Sequence, residues 1–101
     1  MTIESPPIWV ASGAELLDAH AAGWADQVDP QLLDILSPLH CVLGQVYGLY
    51  TTGLKALKMG YWGAPIHYGF CPRAMVEALI LEDLWRAHIK IRRDLAAFAA
   101  M

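Results

Sequence analysis

The chain has 101 residues, a length that predicts one domain over residues 1–101 and argues against a second core. Its net charge is only −3, which gives no reason to expect binding to nucleic acid. Hydrophobic residues make up 56% and charged residues 17% of the chain, against about 45–50% and about 25% in a typical domain. Because a small monomer cannot easily bury that much apolar surface, we expect a surface for self-association or for a partner.

The charges are divided unevenly along the chain. Residues 1–54 contain six acidic residues and no lysine or arginine, whereas residues 55–101 contain all seven basic residues and four acidic ones. We therefore expect the two halves to attract each other, either within one chain or head to tail between two chains.

Three elements are predicted before the middle of the chain. Two adjacent prolines near the N-terminus favour an extended arm over residues 1–11. Ser12 is expected to begin a helix, because Ser12 and Glu15 have the S-x-x-E spacing of a capping box, and Gly23 suits the end of that helix. Asp29 and the proline that follows it predict a further turn of helix.

A central helix is predicted over residues 38–50. Its start has a hydroxyl N-cap followed by proline at the first helical position, where the missing N–H costs nothing. At 100° per residue, large apolar side chains share one side, and only His40 and Gln45 are polar, so the helix is apolar all round, which is the pattern of a buried helix. Cys41, Gly44 and Gly48 form a stripe of small residues on one side and predict close packing against another element. The alternative is a helix that ends early, with Gly48 as its C-cap.

The uncharged run from Ile35 to Leu54 is long enough to raise the question of a membrane span. Its proline, histidine, glutamine, threonines and three glycines argue against one, and we read no secretory signal in the residues before it. We therefore expect no membrane association, and we expect a cytoplasm, where both cysteines stay reduced.

The second half is predicted to contain a short helix, an irregular loop and one long helix. Thr51 or Thr52 is expected to cap the short helix. Glycines, a proline and aromatic residues make residues 60–70 an ordered loop with one helical turn. Pro72 begins the last helix, which runs to about Phe98.

The last helix carries two apolar stripes, although one core needs only one of them. The broader stripe, which we assign to the core, contains Val76, Ile80, Leu84, Ala87, Ile91, Leu95 and Phe98. The second stripe lies about 100° away and contains Leu81, Trp85 and Ile89. We therefore predict that the second stripe is an interface, either with the small residues of the central helix or with a second copy of the chain.

Two cysteines and two histidines are the candidates for chemistry. His40, Cys41, His67 and Cys71 suggest zinc, which binds thiolates and imidazoles. Against zinc, the chain has no C-x2-C pair, and adjacent residues such as His40 and Cys41 diverge on a helix. A cysteine nucleophile needs a lowered pKa, whereas the apolar surroundings of Cys41 predict the opposite. We therefore predict no catalytic residue, no cofactor and no metal ligand, and we expect both cysteines to act as small hydrophobic residues.

Several short segments, which together cover most of residues 13–93, share a pattern with one group of proteins. The most specific segment is Cys41-Val-Leu-Gly-Gln-Val-Tyr-Gly48 with Tyr50. The others are Gly13-Ala14-x-Leu16-Leu17-Asp18, Gly23-Trp24, Gly53-Leu54, Tyr68-Gly69-Phe70, Leu84-Trp85-Arg86 with Ile89, and Arg92-Arg93. On these segments the chain resembles small proteins without an assigned activity that are encoded by actinobacteriophages, mycobacteriophages especially, and by related prophages.

The resemblance implies a phage or prophage protein in the cytoplasm of a bacterial host, and it brings no catalytic, metal or cofactor residues. The chain departs from the pattern of the group at two places. Ser37-Pro-Leu-His40 stands where the group is often polar and sometimes holds another cysteine. Cys71 stands where an acidic residue often follows Gly-Phe. Both departures argue against a metal site shared with the group.

Together these patterns predict an all-α fold, with a buried glycine-containing central helix and a long amphipathic C-terminal helix. The function that we predict is a non-enzymatic phage accessory protein that binds a host or phage protein through an apolar surface. The alternatives are a structural homo-oligomer and a small thiol- or metal-dependent enzyme.

Overall fold

A computed structural model describes residues 5–60 and 63–100 of the chain. These residues form six helices and no strand, which confirms the predicted all-α class. The helices are α1 (Pro6–His20), α2 (Trp24–Gln27), α3 (Val42–Tyr47), α4 (Tyr50–Ala56), α5 (Ala64–His67) and α6 (Met75–Ala99). The predicted aromatic loop contains one helical turn, α5, while its residues 61–62 lie outside the described part of the chain.

The first helix begins at Pro6, so the predicted extended arm is wrong for residues 6–11. Residues 1–4 of that arm lie outside the described residues. Prolines fit the first helical turn, because the N–H groups of that turn have no partner within the helix. Trp9 and Val10 are buried, so the apolar side of α1 begins before Ser12, which lies inside the helix and does not cap it.

The predicted central helix is divided into two short ones. The Ser37 hydroxyl accepts the backbone N–H of His40 at 3.1 Å, but it caps a turn, and α3 itself begins at Val42. Gly48, with a φ of 91°, reverses the chain after α3, so the alternative of an early helix end is confirmed. The next helix, α4, begins at Tyr50, so the prediction that a threonine caps it is wrong.

The two stripes of α6 face the opposite way to the prediction. The core contains the second stripe, Leu81, Trp85 and Ile89, none of which has exposed surface. Their prediction as an interface is therefore wrong. Polar groups explain the choice of face: the Trp85 indole N–H donates to the carbonyl of Gly69 at 2.7 Å, and Glu82 beside it accepts the N–H of Ile35 at 3.1 Å. This face satisfies the polar groups of the loops that it covers.

Trp85 lies at the centre of the core. The Trp24 ring is perpendicular to it at a centroid distance of 5.6 Å, and Phe70 stacks on it at 5.4 Å. Gly13 brings α1 against this tryptophan: a Cβ there would lie 3.0 Å from two Trp85 ring carbons and would overlap the carbonyl oxygen of Tyr68. The close approach of α1 and α6 therefore requires glycine at this position.

Residues 28–41 contain hydrogen-bonded turns in place of the helical turn predicted at Asp29. Arginines of α6 bond the backbone of this segment and of α2. Arg86 Nε donates to the carbonyl of Pro30 at 3.1 Å, and Arg93 donates to the carbonyls of Ala25 at 3.0 Å and Val28 at 2.5 Å. Arginines of the basic second half thus hold the acidic first half largely by donating hydrogen bonds to its backbone carbonyl oxygens.

Candidate functional site

The most prominent surface feature is the apolar stripe that the sequence assigned to the core. We call it the α6 stripe, and it consists of Val76, Ile80, Leu84, Ala87, Ile91, Leu95 and Phe98. Val76 is 78% exposed, Phe98 76% and Leu95 63%. Single exposed apolar residues are ordinary on a protein surface, but an aligned set along one helix marks an interaction surface.

The ends and edges of the stripe add to its apolar character. Met75 and Leu79 are also exposed and widen its N-terminal end. On one edge, Lys90 pairs with Asp94 at 2.7 Å, and Asp83 pairs with the guanidinium of Arg86 at 3.2 Å. These pairs lie on the helix surface, where ion pairs contribute little to stability. They therefore line the stripe without covering it.

The C-terminal end of α6 extends beyond the packed body. Residues 94–100 are all exposed, on every side of the helix. Two helical turns without tertiary packing have little stability of their own in water. A partner seated on Leu95 and Phe98 would supply the packing that this end lacks.

A second feature is a cavity of about 200 Å³ that brings together both cysteines. It lies between the turns at residues 35–38 and the segment 70–72, and Cys41, Tyr50 and Cys71 line it. The sequence analysis placed Cys41 and Tyr50 on the central helix and Cys71 just before the last helix, and it did not predict that the three meet. No sequence signal marks Tyr50 as their neighbour.

The chemistry of this cavity opposes a reactive thiol. Burial raises the pKa of the Cys41 thiol, whose sulfur accepts the N–H of Gly44 at 3.3 Å as the N-cap of α3. Burial, together with the neighbouring Cys71 and Cys41, raises the pKa of Tyr50 to about 12. The Cys41 thiol and the Tyr50 phenol therefore stay protonated at neutral pH, where a nucleophile or a metal ligand would need to be a thiolate.

The histidines proposed with these cysteines as zinc ligands lie elsewhere. His40 is exposed, and its Nδ1 is 3.3 Å from the hydroxyl of Ser37. His67 packs edge-on against the ring of Trp9 at a centroid distance of 6.2 Å. Among residues 5–60 and 63–100, no three histidine, cysteine or acidic side chains converge on a point where they could hold a metal ion.

The predicted packing stripe of small residues separates into different roles. Cys41 is buried, and a Cβ at Gly44 would overlap the carbonyl oxygen of Pro38 and lie 2.7 Å from the carbonyl of Leu39. Gly48 is exposed with open space around it, so its prediction as a packing residue is wrong. Close packing also involves Gly53, where a Cβ would lie 2.9 Å from Leu43, a contact that we did not predict.

No family model, curated protein or solved structure matches the chain significantly. The resemblance to actinobacteriophage proteins therefore stays a prediction. None of the helices in the described part of the chain combines the length and the apolarity needed to cross a bilayer.

Proposed function

We propose that this chain is a non-enzymatic interaction module, encoded by a phage or prophage and acting in the cytoplasm of the bacterial host. Its partner is a host or phage protein that binds the α6 stripe. The observation that carries the proposal is the alignment of apolar side chains from Val76 to Phe98 along a single helix, all of them exposed except Leu84, which is partly buried against the core. The phage origin is supported by the sequence resemblance alone, of which residues 41–48 with Tyr50 are the most specific segment.

The energetics of the stripe support a protein partner. Full burial of one large aliphatic or aromatic side chain stabilises an association by about 1.5–3 kcal/mol. Several such side chains together can offset the loss of translational and rotational freedom, which costs roughly 4–15 kcal/mol. A long apolar ridge on a helix is the feature that helix-in-groove and helix-pair recognition uses.

The non-enzymatic part of the proposal is supported by the chemistry of the cysteine cavity. A catalytic thiol needs a neighbouring base or cation that lowers its pKa. The charged group with a resolved effect on Cys41 is Asp34, and its carboxylate raises the pKa of the thiol further. The cavity therefore offers no activation for the cysteine that lies deepest in it.

The proposal is tested by comparing two doubly charged variants in partner capture. Ile91→Glu with Leu95→Glu places two carboxylates in the middle of the stripe. Thr51→Glu with Thr52→Glu adds the same charge at exposed positions on α4, away from the stripe. Proteins retained from an actinobacterial lysate, and an untagged copy of the chain, are quantified on each tagged bait. Retention of any specific partner should fall at least about tenfold for the stripe variant, as expected for lost interface anchors.

The control variant should retain the same partner as the unmodified chain. Circular dichroism first establishes that both variants keep their helical content, which we expect because all four positions are exposed. If the stripe variant retains every partner as well as the control does, the α6 stripe is not the binding surface.

A further inference from the structure

We infer that the partner seated on the α6 stripe is a second copy of the chain, with the two α6 helices antiparallel and crossing near Ala87. The inference rests on the proposed function, since it names the occupant of the same surface.

The stripe has a regular repeat. Its residues follow one another at spacings of 4, 4, 3, 4, 4 and 3, which is two complete 11-residue repeats from Val76 to Phe98. Such a repeat has about 3.67 residues per turn, close to the 3.6 of a straight helix. The apolar side chains therefore stay on one line over about 33 Å. A straight line of apolar side chains of this length can pack along its whole length against another straight helix of similar length.

Within the described residues, α6 itself is the helix that can supply such a match. It has 25 residues, whereas the next longest helix, α1, has 15 and uses its apolar side in the core. A two-fold interface uses the same patch on both copies. One chain therefore carries every side chain that such an interface needs.

The side chains of the stripe complement one another when the second copy runs antiparallel. Val76 then faces Phe98, Ile80 faces Leu95, and Leu84 faces Ile91, each to within one residue of the ideal register. Ala87 meets its own counterpart on the two-fold axis. The smallest side chain thus lies where the helices cross, and a small residue opposes a large one at each end, as close packing of two helices requires.

The charges at the edge of the stripe favour the antiparallel arrangement over the parallel one. Asp83 and Lys90 lie on the same edge and almost equally far from Ala87, with side chains 82% and 76% exposed. An antiparallel pair places Asp83 of each copy near Lys90 of the other. A parallel pair would set this edge of one copy against the opposite edge of the other, so Asp83 and Lys90 would not meet. Antiparallel helix dipoles favour the same choice.

The area of the stripe is sufficient for a reversible dimer. The exposed side chains of the stripe, with Met75 and Leu79 beside them, offer on the order of 600 Å² of apolar surface per copy. A standard protein–protein interface buries roughly 800 Å² per partner. We therefore expect a dimer that dissociates on dilution.

Sedimentation equilibrium of the unmodified chain tests the association directly. We expect a concentration-dependent monomer–dimer equilibrium, with the dissociation constant raised at least about tenfold by Ile91→Glu with Leu95→Glu and unchanged by Thr51→Glu with Thr52→Glu. A monomer at all concentrations, or a dimer that both double variants leave intact, would overturn the inference.

Disulfide trapping tests the orientation, in a Cys71→Ser background that removes the more accessible native thiol. Under mild oxidation, Ala87→Cys should form a covalent dimer, and a mixture of Val76→Cys and Phe98→Cys should form a covalent heterodimer. Val76→Cys alone should not, because antiparallel copies hold these residues about 30 Å apart. Efficient dimerisation of Val76→Cys alone would establish a parallel pair and contradict the proposed register.

The two proposals fail in different ways. If the chain is a monomer but the stripe variant still loses a captured host protein, the second copy is wrong and the interaction module stands. If a dimer forms and the stripe variant neither weakens it nor loses any partner, both are wrong.

Discussion

Gly44 marks the point where two stretches of backbone come closest. Its missing Cβ would occupy the position of the Pro38 carbonyl oxygen, which also accepts the N–H of Tyr50 at 2.9 Å. That oxygen cannot move away without breaking the bond that holds α4 behind α3. Gly48, four residues on, is needed for another reason, since its φ of 91° is disfavoured for any side chain while the space around it is open.

Alanine substitutions should separate these two roles. Gly44→Ala is expected to lower the free energy of unfolding by about 3 kcal/mol or to prevent folding, because backbone atoms cannot yield to the added methyl group. Gly48→Ala is expected to cost less, about 2 kcal/mol, because its positive φ lies in a backbone region that a side chain rarely adopts. Urea denaturation followed by circular dichroism measures both values. Equal losses for the two variants would contradict the close approach at Gly44.

Cys41→Ala serves as the reference for a mild change at the same site. It removes one sulfur atom and the N-cap of α3, and loss of a cap costs about 1 kcal/mol. The burial of Cys41 and Gly44 as small residues could be predicted from the sequence, whereas the exposure of Gly48 could not. Their separate roles could not, because the turn at residues 37–41 that meets Gly44 is set by hydrogen bonds and not by periodicity.

Two helices end in the same hydrogen-bonded motif but with different residues at its left-handed position. In α5, the N–H of Phe70 bonds the carbonyl of Pro65 at 2.9 Å, and Gly69 takes the positive φ. In α4, the N–H of Met59 bonds the carbonyl of Leu54 at 2.9 Å, and Lys58 takes a φ of 59°. The Schellman motif normally has glycine at this position, so α4 carries a strained side chain there.

Lys58→Gly should therefore stabilise the protein by about 0.5–1 kcal/mol, because glycine adopts a positive φ without a steric penalty. Lys58→Ala is the matched control, since it removes the same exposed charge but keeps a Cβ and should bring no such gain. Thermal and urea unfolding of both variants measure the difference. A glycine variant no more stable than the alanine variant would contradict the strain at this position.

At the level of the helix, the sequence predicted the extent of α6 well and its orientation badly. The expected helix from Pro72 to about Phe98 corresponds to Met75–Ala99. Both of its stripes are apolar, so hydropathy alone favoured the broader one for the core. The deciding contacts are the bond from Trp85 to the carbonyl of Gly69 and the ring packing around Trp85, and both join residues far apart in sequence.

A cluster of charged and aromatic side chains links α1, α2 and α6. Arg92 of α6 forms two hydrogen bonds with the carboxylate of Asp18 on α1, at 2.9 and 2.7 Å. The same carboxylate accepts the indole N–H of Trp24 at 2.8 Å. Arg92 also donates to Nδ1 of His88 at 3.2 Å, so this nitrogen accepts and the proton of the neutral imidazole lies on Nε2. The expected attraction between the acidic and basic halves takes this form within one chain.

Both titratable neighbours of Arg92 make the fold sensitive to acid. The Arg92 guanidinium lowers the pKa of Asp18, so in acid the unfolded state binds a proton to this residue before the folded state does. Burial first, and Arg92 second, lower the pKa of His88. The unfolded state therefore also binds a proton to His88 before the folded state does, at a higher pH than for Asp18. Each contribution is present above the unfolded pKa, about 3.9 for aspartate and about 6.5 for histidine, and is lost as the pH falls through the folded value.

The free energy of unfolding should therefore be constant above about pH 7 and fall in two phases toward about pH 3. Asp18→Asn should weaken the lower phase, which Glu77 shares because Arg73 lowers its pKa too, while keeping an acceptor for Trp24. His88→Gln should remove the upper phase. Because the Asp18 side chain is 48% exposed, solvent screens the pair, and we expect Asp18→Asn to cost only about 1 kcal/mol at neutral pH. Urea midpoints measured across this range give both slopes. An unchanged lower phase in Asp18→Asn would mean that other carboxylates, and not the pair that joins α1 to α6, control acid unfolding.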